Sequence, residues 1–396
     1  MERFEHSSVL RGIGMSQVGR RLMRDPMSLV HEACMAAIAD AGLEVSDIDG
    51  VTTSPGAISG PPTGYTFGGA FDVVELLGLT PNWVYGAAEA PGHSGPLVDA
   101  MLAVAAGLAR HVLTVRGTWE SSHTALLRSG RASPPTPAGR LSGRAAWHAP
   151  FGAMSPANWI AMQATNHMST YGTTREQLGA IALNARANAA NNPWAIYREP
   201  LSMADYLDAR IVSTPFGLYD CDVPCDGAVA IIVSHADSAA DGLHPAVGIE
   251  AIGSAIRERI SWDQGDMSHE PLQQGAADHL WERSDLRQDD VDVAQIYDGF
   301  TFNCLSWIES LGFCEVGEGG PFVEGGTRIA LDGELPLNTD GGQLSAGRLH
   351  GYGLIQEAII QLRGDAGGRQ VPGAEVAVVA TGGGAPGGTM LLTRTR

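Results

Sequence analysis

The spacing of apolar residues along this chain follows one pattern twice. Residues 29–41 have apolar side chains at helical spacing, residues 43–51 contain a short apolar run, and a turn follows at residues 54–56. The same order of helix, connector, short strand and turn returns at residues 272–281, 286–294 and 297–299. Such a long internal repeat predicts a duplicated domain. A fixed offset aligns Asp47 with Asp290, Asp49 with Asp292 and Gly56 with Gly299.

A second pair of segments supports the duplication. The helix-then-strand pattern of residues 96–116 returns at residues 354–381, and the strand in both copies is rich in valine. Units of this kind build a mixed or parallel sheet with helices on both faces. We therefore predict an α/β fold with an N-terminal half at residues 1–240 and a C-terminal half at residues 241–396. The apolar run at residues 226–233 is the predicted buried strand that closes the first half.

An insertion at about residues 118–215 interrupts the first half. It is rich in glycine and proline at residues 134–143, as is the earlier stretch 55–69. From about residue 155 to residue 192 its apolar residues recur at helical spacing, and they include Trp159, Met162 and Tyr171. A methionine and aromatic stripe of this kind is more often core than a cofactor site.

The overall charge limits which kinds of molecule the protein is expected to bind. The chain has 396 residues, of which 44% are hydrophobic and 17% charged, and its formal net charge is −19. This size allows a large core. The acidic balance argues against nucleic acid and anionic membrane surfaces, since both need basic patches, but a polyanionic small molecule still fits a local basic pocket. Arginines cluster at residues 20–24 and 128–144, where a helix face and a solvated loop are the favoured interpretation.

The cysteines and the N-terminus predict the compartment. Five cysteines lie at positions 34, 221, 225, 304 and 314, and an odd number at irregular spacing suits a reducing compartment. Cys221 and Cys225 have no second Cys or His pair nearby, so we expect no metal site. The N-terminus lacks a secretion signal, and no apolar run reaches the roughly 18 residues of a membrane helix. We expect a soluble, cytoplasmic protein without membrane insertion.

Three glycine-punctuated turns in the C-terminal part of the chain each follow an apolar run. They are Ile296-Tyr297-Asp298-Gly299-Phe300, the segment from Asn338 to Gly353, and Thr381-Gly382-Gly383-Gly384. Open α/β sheets bind ligands where strands feed helices. These turns resemble those of the thiolase family, in which they carry two histidines and a cysteine. Here Tyr297 stands in place of the first histidine, Arg348 in place of the second, and Ala380-Thr381 in place of the cysteine.

The thiolase resemblance implies a five-layer α/β/α/β/α fold, in which the insertion covers the substrate entrance and is partly a candidate lid. Thiolases also use a nucleophilic cysteine at the start of a buried helix. In the turn before that helix this chain has no cysteine, and Glu89 or Ala90 falls at the equivalent position. His93 and Ser94 are adjacent, and sequence neighbours rarely face each other as base and nucleophile. The frame can still hold a thioester carbonyl and stabilise an enolate.

A closer resemblance rests on motifs spread over nearly the whole chain. They are Asn191-Asn192-Pro193, Asp226-Gly227-Ala228-Val229-Ala230, Tyr297-Asp298-x-Phe300-Thr301, Leu311-Gly312-Phe313-Cys314, residues 335–344 and His350-Gly351. They resemble the thiolase-like retro-aldolases of bacterial steroid side-chain degradation, a group related to lipid-transfer proteins and to sterol carrier protein X. The resemblance implies that a β-hydroxyacyl-CoA is cleaved to a shorter acyl-CoA and a ketone or aldehyde. It further implies two acid/base tyrosines and an OB-fold/zinc-ribbon partner protein, with no cofactor beyond the coenzyme A of the substrate and no metal in this chain.

Within this resemblance, Tyr297 is the predicted base or proton relay for the β-hydroxyl group. A phenol has an ordinary pKa of about 10, so it would need a nearby cation, hydrogen-bond donors or a second base. The family's second tyrosine aligns with Arg348, which leaves three alternatives for the second group: Tyr352, His350 and Arg348. The predicted substrate-binding residues are His93, Asp298, Asn338, Gly341, Gly342, Gly382 and Gly383. The resemblance also implies a homodimer joined through an edge strand at residues 112–115.

Two other functions are alternatives. The first is an acyl-CoA acyltransferase of thiolase type with Cys304 or Cys314 as the nucleophile. Both cysteines lie in an apolar helical run and are better interpreted as inert core thiols. The second is a catalytically inactive subunit that binds acyl-CoA or supports a partner enzyme. Two turns carry four candidate groups, which argues against it, because a decayed site has no reason to keep such groups together. The four are Tyr297, Arg348, His350 and Tyr352.

Overall fold

The computed structural model describes residues 3–54, 56, 67–87, 90–132, 143–257, 273–384 and 386–395. The glycine- and proline-rich stretches 55–69 and 134–143 therefore lie largely outside the described residues, as do Glu89 and Leu272. Every predicted catalytic and substrate-binding residue lies within the described segments.

The strands and helices of the N-terminal half alternate as the sequence pattern predicts. They are β1 (Ser8–Met15), α1 (Pro26–Asp40), β2 (Gly50–Thr53), α2 (Ala70–Leu77), β3 (Trp83–Gly86), α3 (Gly95–Ala105), β4 (His111–Trp119), α4 (Glu120–Arg128), α5 (Arg144–His148), α6 (Pro156–Tyr171), α7 (Arg175–Ala190), α8 (Met203–Asp208), β5 (Ile211–Ser213), β6 (Phe216–Gly217) and β7 (Asp226–His235). The inserted region is thus mainly helical, with β5 and β6 forming a small separate hairpin.

The C-terminal half repeats the alternation. Its elements are β8 (Val247–Gly253), α9 (Gln274–Arg283), β9 (Val293–Ile296), α10 (Thr301–Ser310), α11 (Gly319–Val323), α12 (Tyr352–Arg363), β10 (Val376–Thr381) and β11 (Gly388–Arg394). A single π-helical turn, Gly342–Ala346, precedes α12. None of the helices in the described segments is long and apolar enough to span a bilayer.

Local sequence accounts for where several helices begin and end. The carboxylate of Asp25 accepts the N–H of Met27 and so caps the start of α1. Thr174 and Gln177 form a reciprocal capping box at the start of α7. Helix α12 ends at Gly364, whose φ of 86° is a left-handed conformation that glycine adopts without strain.

Nine of the eleven strands in the described segments form one mixed sheet, in the order β3-β2-β4-β7-β1-β8-β11-β10-β9. Strand β2 is parallel to both β3 and β4, and β9 is parallel to β10, whereas the other pairs are antiparallel. The strands of each half are contiguous. The halves meet where Val9 and Leu10 of β1 pair with Gly248 and Val247 of β8, so the sheet is continuous across the repeat.

Strand β7 shows how the sheet is buried on both faces. Its side chains alternate between two hydrophobic cores, which also contain the apolar faces of the neighbouring helices. The larger core holds α3 and α12, and the smaller core holds α1. Helices therefore cover both faces of the sheet, which explains the continuous apolar run of this strand. Val229, Ile231 and Val233 belong to the larger core, and Ala228, Ala230 and Ile232 to the smaller one.

The sequence repeat is also a repeat of hydrogen bonding. Asp49 and Asp292 occupy equivalent positions just before a short parallel strand, and each carboxylate accepts two backbone N–H groups at the start of the adjacent strand, at 2.8–3.0 Å. The donors are Arg110 and His111 for Asp49, and Glu375 and Val376 for Asp292. The same residue type thus fixes the register of parallel strands in both copies, while the boundary at residue 240 stays a prediction.

The predicted dimer strand needs a correction. Residues 112–115 lie in β4, which is hydrogen-bonded to β2 on one side and to β7 on the other. Both sides of its backbone are therefore occupied, and this strand cannot pair with a second copy. The outermost strand of this half is β3, where the ring of Tyr85 is 48% exposed and stacks on Trp83 at 5.9 Å.

Candidate active site

Four turns converge at the ends of the parallel strands β9 and β10. Tyr297 directly follows β9, and its N–H donates to the carbonyl of Ala380 in β10 at 2.9 Å. The turn before α3 lies against the end of β10, since a Cβ on Gly92 would sit 2.5 Å from the carbonyl oxygen of Thr381. The turn before α12 reaches the same place, because a Cβ on Gly351 would lie 3.1 Å from Cγ2 of Thr381. Glycine is what lets these backbones approach so closely.

This convergence brings three predicted site residues into contact. The ring centroid of His93 lies 5.2 Å from that of Tyr297 and 5.4 Å from that of His350. The first pair is tilted by 33°, and the second is edge-to-face at 87°. The three residues are between 5% and 7% exposed. They form a buried cluster, with His93 between the phenol and the second imidazole.

The glycine of the Tyr297 turn allows the phenol to fold back over the backbone. A Cβ on Gly299 would lie 2.6 Å from the hydroxyl oxygen of Tyr297, which is closer than any side chain tolerates. The Tyr-Asp-Gly sequence therefore sets the position of the hydroxyl group as well as the turn. A larger residue at Gly299 would displace the predicted base.

His350 is held neutral by its surroundings. Burial lowers its pKa well below the ordinary value, and the positive charge of Arg116, the neighbouring His93 and Arg348 lower it further. Arg116 is itself almost fully buried and donates from Nη1 to Oγ of Ser54 at 3.1 Å. Arg116 was not predicted from the sequence, although a single arginine inside the apolar strand β4 is a signal of a functional buried charge.

Arg348 is engaged in ion pairs. Its Nε donates to Oε2 of Glu120 at 3.0 Å and its Nη1 donates to Oδ1 of Asp222 at 2.8 Å, while Nη2 contacts the other oxygen of Glu120. Burial raises the pKa of Asp222 to about 7, and the positive charge of Arg348 opposes that rise. The structure thus places this guanidinium between two carboxylates, two residues before His350. Glu120 and Asp222 were not predicted from the sequence.

Asp298 and Asn338 hold the turns together. The carboxylate of Asp298 accepts the N–H groups of Gln343 at 2.9 Å and Leu344 at 3.3 Å. The side chain of Asn338 bonds to both the N–H and the carbonyl of Ile296, at 2.7 and 2.9 Å. These hydrogen bonds are internal to the protein, so both residues position the site. Their role in substrate binding stays a prediction.

The glycines predicted to bind substrate make close internal contacts. A Cβ on Gly341 would lie 2.6 Å from Cβ of Ala189 in α7, and one on Gly342 would lie 2.1 Å from Oδ2 of Asp298. Both have positive φ, 105° and 56°. The carbonyl oxygens of the last glycine pair are also in use: Gly382 accepts from the indole N–H of Trp307, and Gly383 from the amide of Asn303, both at 2.8 Å.

Tyr352 is buried in the same hydrophobic core as Tyr297. It is the first residue of α12, and its ring is fully buried in the larger core. His350, two residues earlier, has a φ of 48°, and its ring faces His93. Of the three alternatives for the second group, His350 has a ring contact with the cluster of Tyr297 and His93, at 5.4 Å from His93.

No cysteine in the chain has the environment of a nucleophile. Burial raises the pKa of Cys34, Cys221, Cys225 and Cys314 to about 12, and that of Cys304 well above its ordinary value. A nucleophilic cysteine needs the opposite shift, because the thiolate is the reactive form. Ser94 is equally occupied, since its hydroxyl donates to the carbonyl of Pro91 at 2.9 Å. Within the described segments, no group of three or more His, Cys, Asp or Glu residues is arranged to hold a metal ion.

Comparisons with known proteins identify the family of the chain. Residues 253–392 match the family model described as thiolase C-terminal domain-like. The chain is 34% identical over 368 residues to a steroid side-chain-cleaving aldolase of Thermomonospora curvata. The aligned region covers 90% of each sequence. It is 33% identical to the 17-hydroxy-3-oxo-4-pregnene-20-carboxyl-CoA lyase of Mycobacterium tuberculosis, and the aligned region covers 96% of this chain and 97% of that protein.

A solved structure extends the similarity to three dimensions. The Ltp2-ChsH2(DUF35) aldolase is similar with a TM-score of 0.86 and 30% sequence identity, over 99% of this chain and 98% of that one. The predicted thiolase-like α/β fold is confirmed. The chain belongs to the thiolase-like family that includes the steroid side-chain-cleaving aldolases.

Proposed function

We propose that this protein is a carbon–carbon lyase that cleaves a β-hydroxyacyl-CoA by a retro-aldol reaction. The observation that carries the proposal is the buried cluster of Tyr297, His93 and His350 at the position where thiolases have thiol and histidine chemistry. The cluster supplies proton-transfer groups, and the chain has no cysteine suited to form an acyl-enzyme. Retro-aldol cleavage needs proton transfer and enolate stabilisation, and it needs no covalent intermediate.

The proposed reaction begins at the β-hydroxyl group. The oxygen of Tyr297 takes the hydroxyl proton, either as a phenolate or by passing its own proton to the neighbouring imidazole of His93. The new C=O bond forms at Cβ, the Cα–Cβ bond breaks, and its electron pair passes through Cα to the thioester carbonyl as an enolate. A proton is then returned to Cα. One proton is removed and one is added, so the products are a ketone or aldehyde and a shorter acyl-CoA.

His350 is the proposed donor of the returning proton. The proton that passes from the substrate through Tyr297 to His93 moves on to His350, whose ring lies 5.4 Å from that of His93. The buried position of His350 beside Arg116 and His93 disfavours its protonated form, so this proton is readily given up to Cα. Such an imidazolium is a strong acid for an enolate carbon. Tyr352 remains the second candidate for this step. Arg348, held between Glu120 and Asp222, is a positioning residue that fixes the turn leading to His350.

The proposed substrate is a steroid side-chain CoA thioester. Its support is the naming of two relatives as a steroid side-chain-cleaving aldolase and a pregnene-20-carboxyl-CoA lyase, at 34% and 33% identity over nearly the whole chain. An acyltransferase using Cys304 or Cys314 is disfavoured because burial raises the pKa of both thiols. The remaining alternative is a catalytically inactive subunit that binds acyl-CoA. Measuring whether the purified protein cleaves the substrate distinguishes it from a lyase.

Two partners belong to the proposal. The first is a second copy of the chain, paired through the edge strand β3 in place of the strand first predicted. The second is a small OB-fold/zinc-ribbon protein, since the similar solved structure is an aldolase named with a second component. Any metal in the active complex would then belong to the partner protein.

The first prediction concerns Tyr297→Phe, which removes one oxygen and keeps the ring packing against His93. Loss of a positioned acid/base group costs on the order of 10²–10⁴ in rate, so the variant should fold and bind acyl-CoA but cleave slowly. Steady-state cleavage of a β-hydroxyacyl-CoA measures this. Cys304→Ser and Cys314→Ser are the controls and should leave turnover nearly intact. Full activity of Tyr297→Phe, or a folded but inactive cysteine variant, would overturn the assignment.

The second prediction is a pH dependence of stability caused by His350. Its folded-state pKa is depressed, so below the unfolded value of about 6.5 the unfolded chain takes up a proton that the folded chain does not. The free energy of unfolding should therefore decrease as the pH is lowered below about 6.5, by up to about 1.4 kcal/mol per pH unit for this one group. Denaturant unfolding of wild type and His350→Gln between pH 8 and pH 5 tests this. A stability difference that does not change with pH contradicts it.

The third prediction concerns the dimer. The N–H groups of Trp83 and Ala87 donate to the carbonyls of Asp49 and Thr53, on the side of β2. By alternation, the N–H of Val84 points to the open side of β3. Val84→Pro should remove a hydrogen bond across the dimer and yield monomers, while Val84→Thr keeps it. Light scattering at micromolar concentration gives the mass of each. A monomeric wild type, or a dimeric Val84→Pro protein, contradicts pairing through β3.

The fourth prediction concerns metal. We expect the chain purified alone to contain less than stoichiometric zinc, and the active complex to contain zinc only when the partner is present. Elemental analysis of the protein alone and of the co-purified complex makes the comparison. One zinc ion per chain in the protein alone would show that part of the partner proposal to be wrong.

A further inference from the structure

The π-helical turn Gly342–Ala346 is held in place by the inserted region of the first half. The loop after α7 contributes two main-chain hydrogen bonds to it. The N–H of Tyr197 donates to the carbonyl of Ser345 at 2.9 Å, and the N–H of Ile196 donates to the carbonyl of Ala346 at 3.3 Å. Turns of π-helical geometry are rare, and those that occur are frequent at functional sites. The backbone that leads to the active site thus depends on contacts from the inserted region.

A row of asparagines holds the segment that precedes this turn. Asn184, Asn188 and Asn192 recur every four residues, a spacing that places them on one face of α7 and of the residues just after it. Their side-chain amides donate to the main-chain carbonyls of residues 337, 338 and 340, at 2.9–3.2 Å. Asparagine is a weak helix former, so helix stability does not account for three of them at this spacing. The row instead fixes the backbone that enters the turn.

Arg186 extends the contact from α7 to the turn itself. Its Nε donates to Oγ of Ser345 at 3.1 Å, and its Nη1 donates to the carbonyl of Glu199 at 3.2 Å. The residue is buried, and its guanidinium carbon lies 5.1 Å from the ring centre of Tyr197 and 5.6 Å from that of Tyr219. The attraction between a cation and an aromatic ring is larger when the cation is desolvated. Two aromatic rings therefore offset the cost of burying this charge and fix the direction of its N–H groups.

Ser345 is held at two points by the inserted region, at its carbonyl and at its hydroxyl group. The same turn is held from the other side by Asp298, which directly follows Tyr297 and accepts two of the turn's N–H groups. His350 follows five residues after Ser345. The turn that leads to His350 therefore lies between two fixed points, Asp298 and Arg186. A shift at either point moves the imidazole relative to the phenol.

We propose that Arg186 is a positioning residue of the lyase reaction, and that it fixes the π-helical turn so that His350 and Tyr297 act on one bound substrate. The inference rests on the proposed function for the reaction, and on the hydrogen bond to Ser345 for the role. Displacing a reacting group by about 1 Å can reduce a rate about 10²-fold, so a contact outside the reacting cluster can control turnover. This role assigns α7 to the support of the active site, so a lid would have to come from another part of the inserted region.

A double-mutant cycle tests this role by kinetics. Arg186→Lys keeps the positive charge but loses the planar fork that reaches both Ser345 and Glu199, and Ser345→Ala removes the hydroxyl acceptor. Each change should lower kcat for a β-hydroxyacyl-CoA about tenfold to a hundredfold with KM nearly unchanged, because the contact acts on the placement of the reacting groups. The double variant should be no slower than the slower single variant, since both changes break the same hydrogen bond. Additive losses would show that the two residues act separately, and would overturn the proposal.

Arg198→Lys is the matched control for this cycle. Arg198 is an exposed arginine of the same loop, and its Nη2 donates only to the carbonyl of Ala190 among the described residues, at 3.4 Å. Its substitution should leave kcat at the wild-type value. A loss of kcat in this control as large as that in Arg186→Lys would contradict a specific role of Arg186.

Hydrogen–deuterium exchange separates this proposal from the proposed function, because it needs no activity. In Arg186→Lys and in Ser345→Ala the amides of residues 342–350 should exchange faster than in the wild type, while those of strand β7 exchange as before. Unchanged exchange of residues 342–350 in both variants overturns the proposal, and so does wild-type kcat in an active enzyme whose turn exchanges faster. A wild type without lyase activity refutes the proposed function, and faster exchange in the variants then still supports the hold of Arg186 on the turn. If Arg186→Lys does not fold, Ser345→Ala decides, since it breaks the same hydrogen bond and leaves the buried cation in place.

Discussion

The carboxylate of Asp298 ties the turn of Tyr297 to the turn that leads to His350. It follows Tyr297 in the chain, is fully buried, and accepts the N–H groups of Gln343 and Leu344 from the turn that leads to His350. Burial raises its pKa to about 6, whereas the backbone hydrogen bonds lower it, and at neutral pH the ionised form is the acceptor that the turn requires. The positions of the phenol of Tyr297 and of the imidazole beyond the turn both depend on this contact.

Around that contact the fold supplies a set of glycines where backbones meet. Gly342 lies against the carboxylate of Asp298, Gly92 against the end of β10, and Gly299 under the ring of Tyr297. Each would clash if it carried a side chain. The result is a site built from four turns that places a phenol and two imidazoles in a space largely closed to water. In such a space proton transfer and enolate stabilisation are strengthened, because charges are poorly screened.

The sequence predicted the elements of this site well where the signal was local. Glycine turns after apolar runs, together with the thiolase resemblance, identified Tyr297, His93 and His350, and the fold brings their rings together. It could not predict contacts between residues far apart in the chain. Arg348 is paired with Glu120, a residue 228 positions away, and the charge of Arg116 in β4 acts on His350 in the turn before α12. Pairings at that distance depend on tertiary packing and leave no periodic trace in the sequence.

Two other differences between the predictions from sequence and the structure also arise from tertiary packing. Residues 112–115 form an apolar run that suits either an edge strand or an interior strand of a sheet. Only the pairing of this strand with β2 and β7 shows that it is interior. The two arginine clusters look like solvated surface when each is read alone, yet Arg20, Arg21 and Arg128 line one pocket. Charge patterning along the chain reports local exposure, whereas a binding site depends on which segments the fold makes neighbours.

The most direct test of the account follows the fate of free coenzyme A and of the Cα proton. A β-hydroxyacyl-CoA with a tertiary hydroxyl group is incubated in D₂O with the protein and its zinc-ribbon partner, and the products are analysed by mass spectrometry. A retro-aldol reaction should give a ketone and a shorter acyl-CoA that carries solvent deuterium at Cα, formed without consumption of free coenzyme A. Cleavage that requires free coenzyme A and transfers an acyl group to it would contradict the retro-aldol assignment.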